Sequence, residues 1–421
     1  MLARIPRVYY GWILVATIML LSFSSAGSRF SFGVFVKPMT ETLGWERASI
    51  SLVQSTGLLL GGLMRPAAGY FSDRFGPKRV YCIGLALCGL ALLASSFTTE
   101  YWQFFLSYGV LLAIGYGAAS PVATTSMVSA WFYQKRAFAL SLGSTGTSMG
   151  ELIVVPLAMF IVLSFGWQAG FRTISLWMLL LVLPLALLLL ASRPADKGLE
   201  PYGVHSAEGR RRASAVSMTF SEALRQSDLW RLTLGFFVCG FTMSFANTHF
   251  IPFASDMGMD DMAAAQALGL VGAFSIVGGL SAGALADRFG RKNILALVYF
   301  IRGFSFVVLF QAHDLPSLYL GSLLLGISWT STGPLTSALT ADRCGLTSLG
   351  TIYGTMFTIM PIGSALGAFV SGLVYDRYGS YEPSLLLSAF AGFIAAAVVF
   401  GVGGTPRAEV APAAPSTASA G

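Results

Sequence analysis

The sequence predicts an all-α membrane protein: twelve transmembrane helices in two six-helix, pseudo-symmetric bundles. Three observations carry this. Only 11% of the 421 residues are charged while 55% are hydrophobic, where a soluble domain of this length carries roughly 25% charged residues. Apolar runs of about 20 residues recur along the whole chain, each long enough to cross a hydrocarbon layer roughly 30 Å thick. One long polar interruption, 193–228, divides those runs six and six. Backbone polar groups in lipid must be satisfied internally, so the runs read as helices rather than strands.

The spans fall near 12–36, 48–70, 78–98, 101–126, 136–162, 170–192, 229–253, 263–287, 291–311, 315–340, 348–374 and 381–404. The first follows a basic start, MLARIPR, but continues to Val36 without an A-x-A-like site. An uncleaved first span is expected there, not a signal peptide. The expected organisation is an N-terminal bundle at 1–192, a cytoplasmic linker at 193–228 and a C-terminal bundle at 229–404. An Ala/Pro/Ser-rich tail at 405–421 is expected to be disordered and cytoplasmic. Cys82, Cys88, Cys239 and Cys344 show no metal-ligand spacing and read as small packing residues.

The net charge of +7 is a topology signal rather than a nucleic-acid footprint. Arg4, Arg7, Arg74, Lys78, Arg79, Lys135, Arg136, Arg193, Lys197, Arg210, Arg211, Arg212, Arg225, Arg231, Arg288, Arg291, Lys292, Arg343 and Arg407 all fall on one side of the membrane. The opposite loops hold only Lys37, Arg47, Arg172 and Arg377, beside Glu100, Asp256, Asp260, Asp261 and Glu382. The positive-inside rule then predicts a multi-pass protein of the plasma membrane, the bacterial inner membrane, with both termini cytoplasmic. A monomer in the lipid bilayer is expected, with no nucleic-acid partner.

The two halves echo one another. The run from Gly69 to Lys78, GYFSDRFGPK, closes span 2, and the run from Gly283 to Lys292, GALADRFGRK, closes span 8. The same offset pairs Pro38 with Pro252 and Gly44 with Gly258. Parallel repeats of this kind belong to transporters whose halves rock around a site near the membrane midplane.

The repeated G-x-x-x-D-R-F-G-x-K element resembles the cytoplasmic loop signature of the major facilitator superfamily. Its glycines, Gly69, Gly76, Gly283 and Gly290, permit short loops and close helix approach. Asp73 and Asp287 offer charge to basic residues such as Arg74 and Arg288 and to a helix N-terminus next door. The element is expected to latch the cytoplasmic side rather than to touch substrate. Further pieces resemble the oxalate–formate antiporter and monocarboxylate transporter type. They include YYGW ending at Trp12, WFYQKR ending at Arg136, RPADKGLEPYG from Arg193 to Gly203, and HFIPFA from His249 to Ala254. That resemblance implies a carrier of small carboxylates, working by exchange or with a proton.

A charge near the bilayer centre costs roughly 2.5–3.5 kcal/mol on insertion scales, so such residues are expected to face the interior. The candidates are Arg29 in span 1, Arg65 in span 2, Glu151 in span 5, His249 in span 7 and Arg302 in span 9. Three arginines against one glutamate leave an excess of positive charge, and the planar guanidinium suits a carboxylate. Arg65 lies about 12 Å along its helix from Asp73, and reads as a substrate or gating contact, or as a snorkelling or structural arginine. The resemblance implies a substrate arginine on span 8; here that position is Gly279, whose repeat mate is Arg65. Ser275 replaces the family's nearby acid.

Arg29 suits an anion attractor near the outer mouth. Arg302 reads equally as a substrate contact or a bundle support. Glu151 is the proton-coupling candidate, with a structural ion pair as the competing reading. His249 is an outer-gate or substrate candidate, or a hydrogen-bonded helix-end histidine. Gln54, Tyr116, Asn247 and Tyr353 are further substrate-binding candidates. Oxalate-type members carry a lysine on span 11 that this chain lacks, so a monocarboxylate is expected over a dicarboxylate.

The resulting expectation is a secondary active transporter of a small organic anion. Its alternatives are an efflux carrier for amphipathic compounds and a nontransporting anion sensor. No phosphate-cradling loop, metal set or nucleophile–base pair occurs, so neither catalysis nor a cofactor is expected.

Overall fold

In the computed structural model, residues 9–204, 218–259 and 261–403 are described. Arg4, Arg7, Arg210, Arg211, Arg212, Asp260, Arg407 and the tail 405–421 lie outside the described residues. A helix meets each predicted span. α1 runs over Tyr10–Phe30 and, past a break at Ser31, over Phe32–Leu43. α2 is Arg47–Phe75, α3 is Pro77–Ser95, and α4 covers Tyr101–Trp131 with a break before Pro121. A continuous run, Arg136–Leu189, turns at Gly166 (φ 85°) and so supplies both α5 (136–165) and α6 (167–189). α7 is Ser227–Thr248 with an extension Phe250–Asp256, α8 is Asp261–Phe289 and α9 is Arg291–Phe310. α10 is split into Leu315–Trp329 and Thr332–Cys344; α11 is Leu349–Tyr378 and α12 is Glu382–Phe400.

Among the described residues, nine helical segments are long and apolar enough to cross a membrane. Two of the twelve predicted helices share one of these segments, and polar α2 and broken α10 complete the set.

The internal repeat becomes a packing symmetry. In the first bundle, a Cβ on Gly146 or Gly150 of α5 would run into the carbonyl oxygens of Met19 and Phe23 on α1. In the second, Gly363 and Gly367 of α11 stand against the carbonyls of Phe237 and Phe241 on α7. Small residues let these helix pairs approach until backbone meets backbone. Several of the family-like sequence motifs also meet at one place. Tyr9, Trp12, Phe132 and Tyr202 form an aromatic cluster, and Tyr133 and Gln134 donate backbone N–H bonds to Tyr202. The linker therefore begins by docking onto the α4–α5 turn. It resumes at a short helix, Phe220–Leu224, capped by Thr219 and Glu222. Hydrogen bonds from Thr219 hold the Glu222 carboxyl below its ordinary range.

The bundles meet along two seams, α2 against α11 and α5 against α8. Both are closed at the same face by the repeated loop element. The Asp73 carboxylate accepts from the backbone N–H groups of Gly350 (2.9 Å) and Thr351 (2.7 Å) and from the Thr351 hydroxyl (2.6 Å). Asp287 accepts from the N–H groups of Ala137 (3.2 Å) and Phe138 (2.8 Å). Each aspartate thus caps the first turn of a helix in the opposite bundle, where free N–H groups and the helix dipole favour a negative charge. Gly69 and Gly283 make room, since a Cβ would strike Gly350 in one case and Ser141 in the other. Gly76 (φ 91°) and Gly290 (φ 96°) make the turns that follow.

The basic residues of the two loops differ in use. Arg291 pairs with Asp287 and with Asp342, and Arg136 joins Asp342 at 2.8 Å. Arg74 bonds the Tyr70 hydroxyl at 3.1 Å, and Arg288 lies over the Phe289 ring at 5.2 Å. Asp73 has no basic partner among the described residues. Its latch is made of two helix N–H groups and the Thr351 hydroxyl.

Replacing Gly146 with Leu is expected to destabilise the protein by about 1–3 kcal/mol through overpacking. A lowered thermal midpoint of the detergent-solubilised protein checks this, and an unchanged midpoint refutes the close-packed seam. Asp73→Asn keeps the shape but loses the charge, and hydrogen bonds to charged groups contribute about 1.5–3 kcal/mol. The fraction of molecules open at the latch face is expected to rise roughly tenfold, read from spin-label distances across that face. A wild-type distance distribution would show that Asp73 does not hold the face shut.

Candidate functional site

α2 carries Gly57 and Gly61 on the side facing α4, where their ideal Cβ positions lie 3.5 Å from the Gly109 carbonyl and 3.2 Å from that of Ala113. This close approach leaves a cavity of about 30 Å³ where α1, α2 and α4 meet. One water needs roughly 10–15 Å³ on this measure, so the space suits a group the size of a carboxylate. Arg29, Gln54, Arg65, Tyr108 and Tyr116 supply its polar lining, with Leu58, Leu112 and Ala113 as apolar wall.

Four of the residues singled out in the sequence, Arg29, Gln54, Arg65 and Tyr116, are therefore brought together. Arg29 lies beside the Tyr108 and Tyr116 phenols, and Tyr116 shares a 2.6 Å hydrogen bond with the Ser28 hydroxyl. Arg29 makes no hydrogen bond or ion pair among the described residues. Arg65 is buried; its Nη1 donates to the Phe357 carbonyl of α11 at 3.1 Å, and its guanidinium sits 4.4 Å above the Phe357 ring. No Asp or Glu lines the cavity. Two guanidinium groups with no acidic partner among the described residues favour an anion between them.

Tyr353 stands one step behind. Its ring stacks on Phe357 (5.6 Å, 15°) and its hydroxyl donates to the Gly333 carbonyl at 3.3 Å. Tyr353 therefore holds the residue that holds Arg65.

The other candidates lie apart. Arg302 is fully buried, and its donors are taken by the Ser328 hydroxyl (3.3 Å), the Cys239 sulfur (3.0 Å), and the carbonyls of Ser328 and Trp329. Those carbonyls end the first half of α10, where the break at Thr330 leaves them without helical partners. Arg302 is placed as the cap of a broken helix. His249 sits at the break in α7, with Nε2 3.0 Å from the Ala368 carbonyl and Nδ1 3.3 Å from the Tyr381 hydroxyl. A carbonyl only accepts, so Nε2 carries a proton and donates to Ala368. Asn247 and Glu151 are exposed and line no part of this cavity. Glu151 has no ion pair with either cavity arginine.

Tyr108 and Phe357 were not singled out by the sequence. At about 100° per residue, Tyr108 and Tyr116 fall roughly 80° apart on a regular helix. A π-helical turn over Phe105–Leu111 changes that register, and both phenols reach the same cavity. Phe357 is an aromatic in an apolar run, and nothing local marks it as the partner of an arginine 292 positions away.

Comparison with known proteins agrees with this architecture. The family model for the Major Facilitator Superfamily matches residues 18–367 and 276–420. An uncharacterized MFS-type transporter, YcxA, of Bacillus subtilis (strain 168) is 28% identical over 89% of this chain and 90% of its own. Monocarboxylate transporter 13 of Bos taurus is 26% identical, covering 92% and 88%. The agnestins efflux protein AgnL12 of Paecilomyces divaricatus is 26% identical, covering 89% and 82%. Among solved structures, the MFS transporter FucP in its outward conformation superposes with a TM-score of 0.73 at 18% identity, covering 93% of this chain and 99% of that one. Twelve helices in two repeated bundles, latched by a twice-used loop element and matched along nearly their whole length, make the chain a membrane-spanning transporter of the Major Facilitator Superfamily.

Proposed function

We propose that the protein is a secondary active carrier of a small organic anion, a monocarboxylate, working by alternating access. The observation that carries this reading is the convergence of Arg29 and Arg65 on one acid-free cavity of carboxylate size. Arg29, with no competing partner among the described residues, is the group that first receives the anion; Arg65 and the Tyr108 and Tyr116 hydroxyls complete the grip. Gln54 offers a further donor. The likeness to monocarboxylate transporter 13 supports the same substrate class.

In this reading both termini are cytoplasmic and the latch face is the cytoplasmic one, in the plasma membrane. With Asp73 and Asp287 engaged, the cavity is closed to the cytoplasm and receives substrate from the other side. Glu151, exposed on α5 and without an ion pair among the described residues, is the acid proposed to carry a coupled proton; otherwise the cycle is completed by exchange with a second anion. His249 and Asn247 flank the outer end of α7. Arg302 supports α10 and leaves the anion to the other two arginines.

A second reading, an efflux carrier for amphipathic compounds, is favoured by the likeness to AgnL12 and by the apolar wall of Leu58 and Leu112. Uptake of labelled lactate, pyruvate, formate and oxalate into proteoliposomes, with and without an imposed pH gradient, separates the two. At least one monocarboxylate is expected to move, with Arg29→Ala and Arg65→Ala each lowering its flux at least tenfold, the loss of a charge-assisted contact of about 1.5–3 kcal/mol. Flux that ignores both substitutions would leave the efflux reading standing. Binding without any flux would point to a sensor. A pH-gradient response abolished by Glu151→Gln assigns the proton; no response in the wild type assigns exchange.

A further inference from the structure

Two prolines lie inside the helices of the α2–α11 seam, Pro66 and Pro361. A proline has no N–H, so inside a helix it leaves the carbonyl four residues earlier without its usual partner. In α2 that carbonyl belongs to Gly62, and in α11 it belongs to Phe357. Inside a bilayer such a carbonyl must find another donor. Each finds it across the seam. The Thr358 hydroxyl of α11 shares its proton between the Gly62 carbonyl across the seam (3.1 Å) and the Gly354 carbonyl of its own helix (2.9 Å), and Arg65 Nη1 of α2 lies 3.1 Å from the Phe357 carbonyl. The two bonds are reciprocal: each bundle supplies one donor and one proline-freed acceptor.

The arrangement is specific to this seam. The repeat mate of Arg65 is Gly279 and that of Pro66 is Leu280, so α8 carries neither part. At the α5–α8 seam the corresponding level holds a hydroxyl pair, Ser148 and Ser275, at 3.0 Å. The Phe357 ring is fixed from both sides, stacked on Tyr353 and edge-on to Phe236 at 5.3 Å. It presents a rigid face to the guanidinium.

We infer that Pro361 and Phe357 are positioning residues that make Arg65 an anion-operated clasp between the bundles. In the empty carrier Arg65 satisfies the Phe357 carbonyl and helps to hold the latch face shut. An anion entering at Arg29 draws the Arg65 guanidinium to itself. The Phe357 carbonyl is then left unpaired in a dry seam, and it regains a partner when the seam parts and water enters. Anion binding is thereby coupled to separation of α2 from α11, two turns from the Asp73 latch. The anion half of this inference rests on the proposed function; the clasp does not.

Pro361→Ala tests it without touching the cavity. The new N–H satisfies the Phe357 carbonyl within α11, and alanine suits a helix. Spin labels across the latch face of the purified protein, with no anion present, are expected to show the open fraction rising roughly fivefold over wild type. Phe357→Ala is expected to act in the same direction, and Phe357→Tyr, which keeps the ring, is expected to restore the wild-type distribution. Pro156→Ala on α5, away from this seam, is expected to change nothing. A wild-type distribution in Pro361→Ala overturns the clasp.

In a second arm, lactate, pyruvate, formate and oxalate are added in turn. At least one is expected to open the wild-type latch face. In Pro361→Ala the same anion is expected to bind severalfold more tightly, because Arg65 is no longer held towards the Phe357 carbonyl, yet to produce a smaller further opening. Equal binding and equal opening in variant and wild type overturn the coupling. If none of the four acts on the wild type, the proposed substrate class fails, while the anion-free arm still decides the clasp.

Discussion

A carbonyl or N–H released from a helix within a bilayer has no water to turn to, and the cost of leaving it unpaired organises much of this chain. Helices here are broken or interrupted at Ser31, Ser120, His249 and Thr330, and prolines sit within α2, α5 and α11. Where such an interruption frees backbone groups, a side chain from elsewhere answers. Arg302 covers the end of the first half of α10; Thr358 and Arg65 cover the carbonyls freed by Pro66 and Pro361. The same rule applies to helix beginnings, where Asp73 and Asp287 meet the open N–H groups of α11 and α5. Polar residues scattered through apolar runs thus share one physical task before any of them is given a functional one.

That shared task also explains why the charged residues divide as they do. Arg302 and Arg65 carry the same charge in similar surroundings, yet one has its donors occupied and the other keeps part of its guanidinium at a cavity. The difference lies in how many acceptors surround each. Two carbonyls, a hydroxyl and a thiol enclose Arg302, whereas Arg65 has one carbonyl and an aromatic face. An arginine with donors to spare, next to a second arginine with no hydrogen-bonding partner among the described residues, is a place where an anion is favoured.

The internal repeat is kept where closure needs it and abandoned where recognition needs it. Asp73 and Asp287 do matching work on matching helix ends, and the α1–α5 glycine contact recurs between α7 and α11. At the cavity the symmetry is lost: Arg29 and Arg65 belong to the first bundle, and their mates by the repeat offset are Met243 and Gly279. Both cavity cations are therefore carried by one bundle, while the other contributes an aromatic ring and a carbonyl.

Much of this was legible in the one-dimensional pattern. Span number follows from hydropathy because a helix is the only way for a lone chain segment to satisfy its backbone in lipid, and the loop element was recognisable because it occurs twice. Arg29, Gln54, Arg65 and Tyr116 stood out as polar groups in apolar runs, a signal that reports cost and not purpose. The same signal marked Arg302, Glu151 and Asn247, which the fold sends elsewhere. Tyr108 and Phe357 gave no signal, since an aromatic in an apolar run is ordinary packing until a guanidinium arrives beside it. The sequence by itself determined the twelve helices, their repeat and the short list of costly residues, because those depend on local composition and period. Which arginine meets a cavity, which caps a broken helix and which proline-freed carbonyl waits across the seam were decided only by tertiary structure, because each depends on a partner from a distant part of the chain.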